Sequence, residues 1–393
     1  MIVLNFPNPV ERAKDFYGRE KELDSIERML LSGRRVPVII QGDRRLGKTS
    51  LQNIAIQRLK TTTGQKIVPL TVGSRGIATL DAFVEAIFSR LASVTGTDIH
   101  QSGLVDSSGC LHMEVVNQFG EAFMHLAGAA QRTLYIICVD EFDQMLRHAG
   151  RDVLRFDALM HYLIRESGLP VAVLLCMTRI PDELMRSASS PFISEAEILR
   201  LQPFSDAELT QMVADLFRSV LSGPPPDFAW LQKMSGGHPY FAKLLLANLQ
   251  ELLGGFDSGL LIQRSHLDLA VMRAVEDIRA ENELENIYQF WFTEMEKWVV
   301  LLLAARHHEM SYQELNEYGR NFLTAARSLA QRGYLQEQSG NYSFRIGFLG
   351  YWLRQWNQFE EEMDRLRVPR RNDPWSMNRT ILIGDDDLRR FGL

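Results

Sequence analysis

Cysteine is scarce: three in 393 residues, Cys110, Cys138 and Cys176, with no CxxC and no metal-ligand spacing. That excludes a disulfide-stapled scaffold and a zinc module. Cys138 and Cys176 sit inside apolar runs and read as reduced core thiols, which suits a cytoplasmic protein. Long apolar runs are also missing, since none reaches the roughly 18 residues that a membrane-crossing helix needs. The opening stretch MIVLNFPNPVERAKDF places charge where a signal peptide needs its apolar segment, and no cleavage signal follows. The expectation is a soluble cytoplasmic protein with no membrane partner. Nor is there an excess of positive charge. The formal net charge is −6, so any contact with nucleic acid must come from a local patch. What is present is an ordinary globular composition, 46% hydrophobic and 23% charged, on a chain long enough for two or three domains.

Residues 36–41 (VPVIIQ) form a short β-branched run ending at Gly42 and read as a buried strand, with a helix expected over 48–60. A second strand is expected at 66–72, where Pro69 pushes it towards a sheet edge. Helices are expected over 78–95 and 113–131, separated by a polar loop at 96–110. Further strands are expected at 134–139, 171–177 and 196–201, with a helix over 153–167. Continuously apolar strands alternating with helices predict an α/β fold, a parallel sheet covered by helices on both faces. After Pro203 the strands stop. Helices over 206–221, 227–234 and 239–253, broken by Gly223-Pro224-Pro225-Pro226 and Gly236-Gly237, predict a helical second domain. Helical stretches at 286–306, 312–318 and 321–332 then lead into 334–346, which alternates around Ser339-Gly340-Asn341, a hairpin signal. Three short helices and a hairpin make a winged helix-turn-helix. The expected domains are 1–203, 204–283 and 284–366, with a tail at 367–393. No internal repeat is evident.

The sharpest motif is Gly42-Asp43-Arg44-Arg45-Leu46-Gly47-Lys48-Thr49, followed by Ser50, which fits G-x-x-x-x-G-K-[ST] between a strand and a helix. Backbone N–H groups of such a loop wrap a phosphate chain, and the helix N-terminus adds a positive field. Lys48 would reach the β- and γ-phosphates and Thr49 would hold Mg²⁺. The apolar strand at 134–139 ends in Asp140-Glu141. Asp140 is the expected metal residue and Glu141 the expected base on the attacking water. Thr178, at the end of the strand 171–177, suits a group that senses the γ-phosphate or orients the water.

With these motifs placed, the chain resembles STAND-type and archaeal-initiator-type AAA+ ATPases. Phe16-Tyr17-Gly18-Arg19-Glu20-Lys21-Glu22-Leu23 is similar to the box that precedes their phosphate loop, and Leu201-Gln202-Pro203-Phe204-Ser205 and Gly236-Gly237-His238-Pro239-Tyr240-Phe241 resemble later segments of the same group. The resemblance spans about residues 14–245 and implies an AAA+-type nucleotide domain, a helical lid and a C-terminal winged helix, with ATP or ADP and Mg²⁺ as ligands. It implies that Tyr17, Gly18 and Arg19 lie near the base, Pro239 against the adenine and His238 near the phosphates. No arginine adjoins GGHPY, a departure that favours a slow, switch-like ATPase over a rapid one. Arg186 and Arg200 stand where an arginine finger could come from, although a solvated surface role suits each better.

In the winged helix, residues 321–332 would be the recognition helix. Arg320, Arg327, Arg332 and Arg345 are its candidate phosphate contacts, yet 306–345 holds five Arg against four Glu. Duplex DNA and protein both remain open as its partner. The leading function is a slowly hydrolysing regulatory ATPase that assembles with itself or an effector protein, in defence or mobile-element biology. An ATP-dependent DNA loader and a non-hydrolysing scaffold are the alternatives.

Overall fold

The computed structural model describes residues 8–34, 36–73, 77, 79–95, 133–149, 153–166, 168–178, 191–217, 228–253, 262–306, 309–366 and 368. They form two compact units. Pro9–Asp43 with Gly47–Leu201 make one, and Arg44–Leu46 belong with the segment from Gln202 onward in the other.

The first unit is a parallel sheet of β1 (Val38–Gln41), β2 (Lys66–Val72), β3 (Thr133–Val139), β4 (Val171–Met177) and β5 (Glu197–Arg200), in the order β2-β3-β4-β1-β5. Successive side chains alternate between faces, so each central strand needs apolar residues throughout. Ile39, Val173 and Leu175 pack with Phe83, Ile87 and Leu159 on one face. Val38, Ile40, Leu174 and Cys176 face Leu23, Ile26, Leu51 and Ile54, which come from α1 (Glu20–Leu31) and α2 (Lys48–Thr62). Pro69 lies in β2, which is an edge strand, as its missing N–H predicts. The expected helix over 153–167 is regular through Val153–His161 and continues as a π-turn at Tyr162–Glu166. The expected loop at 96–110 and helix at 113–131 lie outside the described residues.

In the second unit the helices Asp206–Phe217, Phe228–Ser235 and Pro239–Leu252 match their expected places. Two more, Arg264–Glu276 and Ile278–Asn286, follow in a stretch where the sequence reading placed none. The single helix expected over 286–306 is broken: a π-turn at Ile287–Trp291 precedes a helix at Glu294–Arg306. Thr293 causes the restart. Its Oγ1 accepts from the Glu296 N–H at 3.2 Å while Glu296 Oε2 accepts from the Thr293 N–H at 2.8 Å, a reciprocal capping box.

Helices Glu294–Arg306, Tyr312–Glu317 and Arg320–Gln331 then combine with a small antiparallel sheet. Its strands β6 (Met310–Ser311), β7 (Leu335–Gln338) and β8 (Asn341–Phe344) run in the order β6-β8-β7, giving a winged helix. Its hairpin turns at Ser339 (φ 52°) and Gly340 (φ 82°), both left-handed, as a tight two-residue turn requires. Two short helices not foreseen in the sequence, Gly347–Gln355 and Phe359–Arg365, complete the unit. Apart from Val368, the tail from 367 lies outside the described residues. No described helix is long and apolar enough to cross a membrane.

Candidate functional site

β1 runs straight into the glycine-rich loop, and α2 begins at Lys48. Gly47 caps α2 with φ 92°, a left-handed angle that glycine adopts without steric cost. Lys48 curls back over its own loop, donating from Nζ to Gly42 O and Asp43 O, each at 2.9 Å. The carbonyls hold the ammonium at the mouth of the loop. Phosphate oxygens, being charged acceptors, are stronger partners for the same group. Ser50, one residue past the motif, is buried and accepts from the Val10 N–H at 2.9 Å, so it secures the N-terminal segment against α2.

The sheet order brings the other predicted residues to this end of the strands. Gly42 N–H donates to Met177 O at 3.1 Å, which sets Thr178, the residue after β4, at the start of the loop. The Thr49 hydroxyl donates to Asp140 Oδ2 at 2.7 Å, and the Glu141 N–H donates to Asp140 Oδ1 at 2.9 Å. Both oxygens of that carboxylate are therefore oriented by hydrogen bonds. Glu141 has φ 51°, left-handed for a residue with a Cβ, and its carbonyl accepts from Gln144 N–H at 2.9 Å to start the helix Phe142–Ala149. Strained backbone of this kind is held at sites where the surrounding structure over-determines it. Asp143, two residues on, is only 1% exposed, whereas Glu141 is partly open to solvent. Among the described residues no cluster of three or more His, Cys, Asp or Glu stands ready to hold a metal. A hydroxyl and a carboxylate at 2.7 Å do suit Mg²⁺, which takes few protein oxygens and completes its shell with water and phosphate.

In the Tyr17-Gly18-Arg19 box, Arg19 is left-handed (φ 68°), precedes α1 and is buried. Its guanidinium meets Glu22 at 3.0 Å, three residues on, which accounts for the Arg-x-x-Glu spacing inside the box. The two thiols read as core residues are buried beneath the site. Burial pushes the Cys138 thiol up to about 12 and raises Cys176 as well.

The tip of the loop, Arg44–Leu46, belongs to the second unit, where His238 and Pro239 also lie. Pro239 opens the helix Pro239–Leu252, and His238 precedes it, 2% exposed, with its ring 4.8 Å from that of Phe241. His238 Nε2 lies 3.1 Å from Arg44 O, a geometry that makes this nitrogen the N–H donor. The Gly-Gly pair before it serves close packing. A Cβ at Gly237 (φ 75°) would come within 2.2 Å of Phe204 O, and Phe204 N–H donates to Gly237 O at 2.8 Å. Two sequence segments singled out separately, Leu201–Ser205 and Gly236–Phe241, thus meet backbone to backbone. Glu283 was not foreseen. Buried at 4% exposure, it accepts from Arg44 Nε at 2.5 Å and from Arg45 Nε at 3.0 Å. Nothing in the acidic stretch around it distinguishes it in sequence.

The winged-helix cations divide. Arg345 is committed to internal structure, its Nε donating to Gly236 O at 3.0 Å, and burial lowers its proton affinity. Arg332 pairs with the buried Glu296 at 3.1 Å. These two are therefore packing groups and not exposed phosphate contacts. Arg320 and Arg327 are exposed, and Arg327 lies 5.7 Å over the Tyr312 ring. Arg200 is exposed on β5, 3.4 Å from Gln41 Oε1, while Arg186 lies outside the described residues.

Comparison with known proteins agrees with this geometry. A family model described as an ATPase domain predominantly from Archaea matches residues 16–245, more than half of the chain. A Walker-type ATPase of Pyrococcus abyssi superposes with a TM-score of 0.60 at 18% identity, covering 90% of this chain and 100% of that one. The ORC2 protein of Aeropyrum pernix, solved in ADPNP–ADP complexes, gives 0.57 at 14% identity, covering 92% and 96% respectively. Identities this low speak to the fold alone. No curated protein matches the sequence at a significant level.

Proposed function

The chain belongs to the family of ATPase domains found predominantly in Archaea, and from that premise we propose that it is a Mg²⁺-dependent ATPase of the switching kind, slow in turnover. The observation that carries the reading is the Thr49–Asp140 hydrogen bond of 2.7 Å. It joins the phosphate loop to the carboxylate end of β3, next to Glu141.

In this reading the loop N–H groups and Lys48 hold the triphosphate, with Lys48 exchanging the Gly42 and Asp43 carbonyls for phosphate oxygens. Thr49 and Asp140 are the residues that would hold Mg²⁺, which when bound neutralises charge on the β- and γ-phosphates. Glu141 accepts the proton of the attacking water, and Thr178 orients that water or senses the γ-phosphate. Tyr17, Gly18 and Arg19 are the residues this reading assigns to the base. His238 acts through the loop carbonyl it holds and not as a free phosphate ligand. Residues 204–283 serve as the lid and 284–366 as the winged-helix module, which together engage a protein partner or a second copy of the chain.

The duplex-DNA alternative is weaker than its sequence suggested, because Arg345 and Arg332 are spent on internal contacts. The test is Glu141→Gln, assayed for ATP binding and for phosphate release. Retained binding with turnover lost supports the reading. Wild-type turnover in that variant, or no ATP binding by the parent chain, overturns it.

A further inference from the structure

Arg44 and Arg45, adjacent at the tip of the phosphate loop, both reach the one carboxylate of Glu283, far along the chain. Each oxygen of that carboxylate takes one guanidinium, Oε1 from Arg44 and Oε2 from Arg45. A carboxylate this deeply buried would be costly unless paired, and the two arginines supply the pairing. Arg45 is itself strained, with φ 61°, a left-handed angle that a residue with a Cβ holds only where its surroundings insist. Its guanidinium is fixed twice, by Glu283 at 3.0 Å and by the Tyr240 ring at 5.4 Å from its centroid. His238 holds the preceding carbonyl, Arg44 O.

We propose that Glu283 is a positioning residue for the phosphate loop: by clamping Arg44 and Arg45 it keeps Arg45 in the left-handed conformation that aims the loop's N–H groups at a phosphate chain. The inference rests on the nucleotide-binding reading for its ligand, but the clamp acts on the loop whether or not nucleotide is present. Two guanidiniums against one carboxylate leave a net positive charge at the tip, so the clamp shapes the loop without cancelling its attraction for phosphate. Glu283 touches no reacting atom in this scheme. Its effect passes through Arg45.

The proposal is tested on the full chain by amide hydrogen exchange over residues 43–48 without nucleotide, together with ATP titration calorimetry. Glu283→Gln is expected to speed exchange at the loop tip and to weaken ATP binding about tenfold, the loss expected when one strained residue is released. Adding Arg45→Gly to that variant should recover most of the affinity, because glycine adopts φ 61° without the clamp. A purely structural role for Glu283 would not be rescued in this way. Should the glutamine variant fail to fold, Glu283→Asp carries the same test, with a loss of about threefold and the same recovery. Unchanged exchange and affinity, or a loss that Arg45→Gly does not recover, overturns the proposal. Faster exchange in Glu283→Gln with no ATP binding even by the parent chain would sink the nucleotide reading and leave the clamp standing.

Discussion

Thr49 and Asp140, 91 positions apart, are joined by a hydroxyl-to-carboxylate hydrogen bond of 2.7 Å. The sheet order makes that meeting unavoidable: β1 delivers the loop and α2, β3 delivers Asp140, and β4 lies between them. Hydrogen bonds to a charged acceptor contribute about 1.5–3 kcal/mol, so this one is a substantial part of the site's order. Thr49→Val keeps the shape of the side chain and removes the donor. We expect the variant to fold, to need more Mg²⁺ for half-maximal ATP hydrolysis, and to turn over at least about tenfold more slowly. A Mg²⁺ titration of phosphate release checks this, and an unchanged Mg²⁺ requirement would remove Thr49 from the metal's shell.

Lys48 is expected to govern nucleotide affinity. Its ammonium already sits between two loop carbonyls at 2.9 Å, so it is poised at the mouth of the loop. Lys48→Ala deletes the charge nearest the β- and γ-phosphates and should abolish measurable ATP binding in calorimetry. An unchanged affinity would refute the phosphate-loop assignment.

Gly237 should tolerate no side chain. It is left-handed, and a Cβ there would lie 2.2 Å from a backbone oxygen, Phe204 O, which cannot swing aside as a flexible side chain could. Gly237→Ala is therefore expected to destabilise the protein by about 2 kcal/mol or more. Urea melts of the two proteins, compared at equal m-value, decide it.

Where sequence reading succeeded and where it failed follows from what is local. The bounds of β4 could be read directly because it is a continuous apolar run between Pro170 and Thr178, and those of β2 because its apolar residues end at Gly73. The phosphate loop and Asp140-Glu141 were legible because their chemistry requires fixed residue types at fixed spacing. The break at Thr293 was missed although a Thr-x-x-Glu capping box marks it, because the apolar pattern runs on through Trp291 and Phe292. α1 was overlooked because its first turn lies inside the Gly18-Arg19-Glu20 box, though Leu23, Ile26 and Leu30 carry the helical period. Glu283 and Arg345 could not have been found in this way. Their roles depend on partners 239 and 109 positions away, which only the folded chain supplies.

The two described thiols should be inert in the native state. Burial pushes Cys138 up to about 12 and raises Cys176, so neither carries appreciable thiolate near pH 8. Iodoacetamide at pH 8 should leave both unlabelled in the native protein and label both in urea, as read by peptide mass spectrometry. Rapid native labelling of Cys138 would mean that β3 opens far more readily than its burial implies.

The last prediction separates packing cations from surface cations in the winged helix. Arg345 donates to Gly236 O and is half-buried, so Arg345→Ala should lower stability, by about 1–3 kcal/mol for a lost charged hydrogen bond. Arg327 is exposed but lies over the Tyr312 ring, so Arg327→Ala should cost no more than about 1 kcal/mol. If duplex DNA binds here at all, Arg327 is the residue whose loss should flatten the slope of log K against log [salt], by about one unit. The net charge of −6 leads us to expect weak binding, gone by about 0.15 M salt, where screening takes hold beyond about 8 Å. Fluorescence anisotropy with a labelled duplex at several salt concentrations reads both quantities. A sub-micromolar, ATP-dependent affinity at about 0.15 M salt, lost in Arg327→Ala with the protein still folded, would make the DNA loader the better reading.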